Sequence, residues 1–409
     1  MKLRLVVFAT QLLLGNTVAA VDCGNGSATA TLTLVSPDDV TSLASACPTV
    51  KASIFISGDI GEDEIKLDGI KTIEGNLVLG NCQAADCGDQ KVTKVSGSTL
   101  ELVEGTLDIE GLDSLEQLSL PVLGQVKGTV SIKELKNLKT LELDALGAVG
   151  NFSLLDIEQL YYFNLGIVQG EEVSIAGNGY LVLQMGDTDG FNPNLISQLD
   201  ISGVGELRWG TSGGKIAVGN LSVHDNRIEQ LPLLFQSLRA LTIWQNSQLT
   251  DILFPAAEEA KTELVSQLKQ ISVTDNEKFN MTTISSTSWN NTDMLTWVWP
   301  GENMYTVVLD GIIHNAFFQP LQDAHDWTNL QNANSSKPRV LQDFNITSSV
   351  PAFHCEPIDE MRRHGAFPGS YSCNGDKIDI PNNAMSLTTG GLCAGMVLSW
   401  AAAGLLIFV

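Results

Sequence analysis

The sequence predicts a β-solenoid, a chain wound into stacked coils whose strands form parallel sheets along one axis. Three observations carry that expectation. First, the segments GTLDIEGLDSLEQLSLPVLGQV and GTVSIKELKNLKTLELDALGAVG keep their apolar residues in step. Leu112, Leu115, Leu118, Leu120, Leu123 and Val126 recur 23 residues later as Leu135, Leu138, Leu141, Leu143, Leu146 and Val149. Second, the apolar spacing within a unit runs 3, 3, 2, 3, 3, whereas a helical stripe mixes threes and fours. Third, strand-like pieces later in the chain close on asparagine: VSIAGN, LSVHDN, LTIWQN and ISVTDN, ending at Asn178, Asn226, Asn246 and Asn276. Self-similarity at so short a period marks a solenoid, because one coil cannot bury its own apolar edge and stacked coils can.

The elements follow in order. MKLRLVVFATQLLLGNTVAA has a basic start, an apolar run and a small-residue end, and residues 1–20 read as a secretory signal peptide. Ser36-Pro37-Asp38-Asp39 supplies an N-cap, a proline for the first helical position and two acids for the positive end of the dipole. A capping helix is expected from there to about Cys47, over the open end of the solenoid. Each coil then starts with glycine and a short strand, such as Thr129–Ile132, turns, and makes a second extended piece near Leu141–Leu143. The next unit continues at an offset of 22 with Ile157, Leu160, Phe163, Leu165 and Val168. Gly75, Gly105, Gly128 and Gly150 are expected where the chain bends sharply. The recurring asparagines are expected to form a ladder inside the coil turns. The repeat weakens over about 186–215, which divides the solenoid into lobes at 21–190 and 191–352. Residues 353–382 form a closing segment. Residues 383–409 read as a GPI-attachment signal, an apolar end behind a short polar spacer, with Asn382 the expected anchor residue.

Of the seven cysteines, Cys393 falls in that terminal signal. Six remain, which allow fifteen connectivities. Their grouping favours the local pairs Cys23–Cys47, Cys82–Cys87 and Cys355–Cys373. N-glycosylation sequons stand at Asn25, Asn151, Asn220, Asn280, Asn290, Asn334 and Asn345. The formal net charge is −24, which argues against nucleic acid and anionic lipid as partners.

Cys47-Pro48-Thr49-Val50 followed by SIFISGDI resembles the entry to a receptor L-domain. FHCEPIDEMRRHGAFPGSYSCNGD, from Phe353 to Asp376, resembles the closing segment of the fungal GPI-anchored cell-wall-organisation proteins, the extracellular-mutant and sporulation-specific group. The resemblance implies a right-handed parallel β-helix of receptor L-domain type. It implies a non-enzymatic role in cell-wall integrity and morphogenesis. Members of that family often carry a long Ser/Thr-rich stretch before the anchor; here only TNLQNANSSKPRVLQDFNITSSV and SLTT stand there, which favours a membrane-proximal position over a long stalk.

No catalytic residues, metal ligands or cofactor are expected. The five histidines have no metal spacing, and no nucleophile elbow, phosphate loop or dinucleotide fingerprint occurs. Asp187 and Asp189 form the tightest carboxylate pair and read as an acidic turn; Asp275 and Glu277 read as solvated. The candidate binding surface is the residue between the two apolar positions of each first strand. After Asp108 these are Ser131, Ser153, Ser174, Ser222, Thr242 and Ser272, with His224 and Trp244 two positions along. Alternation puts them on an outer sheet face, where they could meet a repeating glycan. The partners expected are wall glycan or wall and surface proteins, with the membrane reached through the GPI lipid. Trp289, Trp297 and Trp299 read as closing the end of a core. A glycan-active β-helix enzyme and a receptor for a peptide or protein are the alternatives.

Overall fold

A computed structural model describes residues 23–24, 30–80, 91–185, 195–209, 216–257, 261, 264, 267–289, 292–299, 305–319, 321, 342–363 and 369–374. They form a parallel β-solenoid of about 12 turns with little helix. The main sheet runs through one strand of every coil. Leu107–Glu110 pairs in parallel with Gln125–Lys133, which pairs with Ala148–Leu155, and that with Gly170–Met185. The pairing continues without a break through Leu195–Trp209, Ala217–His224, Ser237–Trp244, Gln270–Thr274, Thr306–Ile313, Asp343–Ser348 and Tyr371–Cys373. It therefore crosses the boundary expected at 190/191, and all the described residues belong to one compact unit. The second extended piece of each early coil also forms a parallel sheet, from Glu64–Lys66 through Lys94–Ser96 and Gln117–Ser119 to Thr140–Glu142. Antiparallel pairing among the described residues is confined to Ser286–Trp289, Thr292–Leu295 and Phe254–Pro255.

The repeat is the core. All the aligned leucines and valines of the two sequence units are buried, Leu118↔Leu141 and Val126↔Val149 lying directly above one another. Burying each such side chain contributes roughly 1.5–3 kcal/mol. Lysines outside the core reach back one coil to an acid. Lys127 pairs with Glu104 at 2.6 Å, Lys136 with Asp113 at 2.9 Å and Lys139 with Glu116 at 3.0 Å. These exposed pairs each contribute at most about 1 kcal/mol, so the apolar stack sets the stability.

The glycines require a correction. Gly128 and Gly150 do lie at the junction of two strand pieces, yet neither has the left-handed backbone of a sharp bend. A Cβ on Gly128 would sit 2.7 Å from the carbonyl oxygen of Gly105, and one on Gly150 would sit 2.8 Å from that of Gly128. Glycine is needed there because consecutive coils touch backbone to backbone. The sharp bend lies instead just past each main-sheet strand, at Glu134, Asp156, Asp225, Gln245 and Asp275, whose φ values run from 52° to 57°. Aspartate tolerates this region better than most side chains.

The asparagine after that bend forms the ladder. Asn226, Asn246 and Asn276 are buried. Asn226 Nδ2 donates to Asn246 Oδ1 at 3.0 Å, and Asn246 Nδ2 to Asn276 Oδ1 at 3.1 Å. The backbone N–H of each also donates to the next side chain, at 3.0 and 2.9 Å. In the earlier coils the same slot holds Leu112, Leu135 and Ile157, so an apolar column gives way to an amide column. Asn178 differs: it is half-exposed, donates to the carbonyls of Glu158 and Leu160, and stands outside the buried ladder.

Helix α1 spans Pro37–Ala46, as its start signals require. Ser36 Oγ accepts from the Asp39 N–H at 3.2 Å and Asp39 Oδ2 accepts from the Ser36 N–H at 3.0 Å. The Ser36 hydroxyl is the largest cause holding the Asp39 carboxyl below its usual range. Val40, Leu43 and Ala44 are buried, and Cys47 at the helix end is bonded to Cys23. At the other end, Cys355–Cys373 closes a segment containing α2, Glu356–Arg363. Tyr371 Oη donates to Asp359 Oδ1 at 2.6 Å and Arg362 lies over its ring, so α2 is tied to the last strand. Cys82 and Cys87 lie outside the described residues, as do residues 1–20 and Asn382.

Candidate functional site

The solenoid register places the expected row in one column. Ser131 lies beside Asp108 on one side and Ser153 on the other, and Ser153 beside Ser174. Ser222, Thr242 and Ser272 continue in successive coils. All are half-exposed, and the residues flanking each are buried, so the row faces outward. Asp200 stands between Ser174 and Ser222. The sequence reading passed over it because the repeat weakens there, although Leu199-Asp200-Ile201 has the same apolar–polar–apolar pattern. Beyond Ser272 the column runs on through Val308 and Asn345 to Ser372.

His224 and Trp244 are neighbours in the next outward column and their rings stack, with centroids 4.3 Å apart and planes 12° from parallel. Two carboxylates hold the imidazole. Nε2 lies 3.2 Å from Asp200 Oδ1, and Nδ1 lies 2.8 Å from Asp225 Oδ2. Asp200 is the main cause raising the His224 pKa above its ordinary value; partial burial opposes it and Asp225 adds to it. The arrangement sets two stacked rings, one indole face covered by the imidazole, beside hydroxyls and a carboxylate. Such a cluster suits a polyol, whose C–H groups pack against the part-exposed indole while its hydroxyls find acceptors.

Three sequons share this face. Asn151 and Asn220 occupy the outward column before the row, joined through Glu172 and Gln198. Ser153 and Ser222 are the third residues of these two sequons, and Asn345 stands in the row itself. Asn280 lies elsewhere, on the short strand Asn280–Met281. Asn25, Asn290 and Asn334 lie outside the described residues.

The other sequence candidates disperse. Trp297 is buried against Phe254, Trp299 and Phe317, with ring centroids 5.5–5.7 Å apart; Trp289 and Trp299 pack against the core half-buried. Asp187 and Asp189 lie outside the described residues. Asp275 serves the left-handed turn. No cluster of His, Cys, Asp or Glu fit for a metal ion occurs among the described residues. The sequence reading missed the exposed Tyr161, Tyr162 and Tyr180, and Arg227 lying 4.9 Å over the Tyr180 ring. The Tyr161-Tyr162 pair was a usable signal, since the preceding coil carries Lys139 and Thr140 there. Among the described residues no helix is long and apolar enough to cross a membrane. The chain matches no protein-family model, no curated protein and no solved structure.

Proposed function

We propose that the chain is a secreted, GPI-anchored surface glycoprotein that organises a fungal cell wall without catalysis, by holding wall glycan against a rigid sheet face. The reading takes the solenoid as of receptor L-domain type, with α1 as its N-terminal cap. The observation that carries it is the outward column of Ser131, Ser153, Ser174, Asp200, Ser222, Thr242 and Ser272 with the stacked His224–Trp244 pair beside it. Parallel pairing fixes these side chains before any ligand arrives, which lowers the ordering cost of binding. Glycans on Asn151 and Asn220 would stand over the coils of Ser153 and Ser222, and one on Asn345 two coils beyond Ser272. They leave Thr242, Trp244 and Ser272 as the open window.

Incubating the mature protein with β-glucan, chitin and mannan tests the reading. Retention that is lost in W244A supports it. New reducing ends or transfer products would instead make the protein an enzyme, with Asp200 and His224 the first groups to substitute. Release by phospholipase, followed by fractionation, tests the anchor. A second reading, contact with a protein partner, draws on Tyr161, Tyr162, Tyr180 and Arg227, since tyrosine and arginine dominate interface hot spots. Glycan retention indifferent to Trp244, with a protein partner lost in Y161A/Y180A, would favour it.

A further inference from the structure

A second polar site lies away from the sheet face, and it does not depend on the reading above. A cleft of about 220 Å³ is lined by Asp251, Phe279, Asn280, Thr282, Trp297 and Phe317, among others. Its walls combine aromatic rings with a carboxylate, an amide and hydroxyls. Trp297 is 1% exposed, and its Nε1–H is buried with no acceptor among the described residues. A buried donor left unpaired is costly, and native structures rarely keep one without a use. Thr250 Oγ1 shares its proton between Asp251 Oδ2 at 2.8 Å and the Glu229 carbonyl at 3.0 Å, which leaves Asp251 Oδ1 to accept from a ligand hydroxyl. Thr282 Oγ1 donates to Asn280 Oδ1 at 2.8 Å, so the hydroxyl oxygen can still accept.

We infer that this cleft binds a single sugar ring. Its volume falls below the roughly 300–1,000 Å³ usual for drug-sized ligands, so one ring fits and a chain does not. Aromatic walls suit the C–H face of a pyranose, Asp251 accepts hydrogen bonds from its hydroxyls, and a small turn of the indole would bring Trp297 Nε1–H to a ring or acetamido oxygen. Two sources supply that chemistry. One is the end residue of a free oligosaccharide. The other is the first sugar of a glycan on Asn280 itself, since the sequon Asn280-Met281-Thr282 opens onto the cleft.

Indole N–H resonances of ¹⁵N-tryptophan-labelled protein separate the two. The Trp297 signal is assigned by its loss in W297F, or by relaxation from bound ligand where that variant fails to fold. For a free sugar, the Trp297 signal in N280Q shifts saturably with glucose, N-acetylglucosamine or mannose, and D251N weakens that binding about tenfold. For the attached sugar, the signal of glycosylated wild type moves when an amidase removes the Asn280 glycan, and N280D matches the amidase product. A Trp297 signal that moves neither with any of the three sugars nor with removal of the glycan overturns the inference.

Discussion

Replacing Asn246 with alanine removes the middle rung of the amide ladder. In the intact protein its Oδ1 accepts from both the backbone N–H and the side-chain amide of Asn226, each at 3.0 Å. Its Nδ2 donates to the Val223 carbonyl at 3.0 Å, the Trp244 carbonyl at 2.9 Å and Asn276 Oδ1 at 3.1 Å. The residue is fully buried, so water cannot replace these partners. Truncation strands the two Asn226 donors, and each buried donor without an acceptor costs about 1–3 kcal/mol, giving about 2–6 kcal/mol together. Asn178, half-exposed, recovers its bonds from water, and its alanine variant should lose only about 0.5–1.5 kcal/mol. Urea unfolding followed by circular dichroism, with slopes compared between variants, measures both. The double variant N226A/N246A should lose less than the two singles summed, because the stranded donor's side chain goes with its partner. A loss below about 1 kcal/mol for N246A at unchanged slope would refute the ladder as a stabilising device.

Three further outcomes follow from the same geometry. Gly128→Ala places a Cβ 2.7 Å from the Gly105 carbonyl oxygen and should cost about 1–3 kcal/mol, whereas Gly124→Ala meets nothing nearer than 3.8 Å and should be near neutral; urea midpoints that coincide would contradict the backbone-contact account. Because Asp200 raises the His224 pKa, the pair's contribution to stability is full below about pH 6.5 and is lost as pH rises through the folded-state pKa. An NMR titration of D200N should show a lower His224 pKa than wild type, and an unchanged value would remove Asp200 as the cause. Removing the Cys23–Cys47 bond, whose cysteines are 24 residues apart, should cost about 3 kcal/mol and raise hydrogen exchange first in the coils next to α1; uniform exchange would contradict its local role.

The solenoid was legible because its period is written in residues that have no choice. Leu118 and Leu141 must stack, and their spacing says so. The start of α1 was legible from Ser36, Pro37 and Asp39 for a similar reason: capping is local chemistry. The register of the Ser/Thr column followed from alternation. Asp200 was missed because the repeat was judged by strong apolar matches, and the long strands around it blur the unit boundaries. The stacking of His224 on Trp244 depends on coil-to-coil register, which no single coil encodes. The role of Gly128 was misassigned because a sequence reports that a side chain is forbidden but not whether φ or a neighbouring backbone forbids it. The cleft beside Trp297 unites Asp251, Asn280 and Phe317, residues too far apart in sequence to form a motif.

Binding of defined glucan oligomers to the enzymatically deglycosylated domain, mapped by NMR, tests the sheet-face account most directly. The account predicts saturable shifts centred on Thr242, Trp244 and Ser272, with affinity reduced at least tenfold in W244A. Shifts elsewhere on the solenoid, or retention of full affinity in W244A, would contradict it.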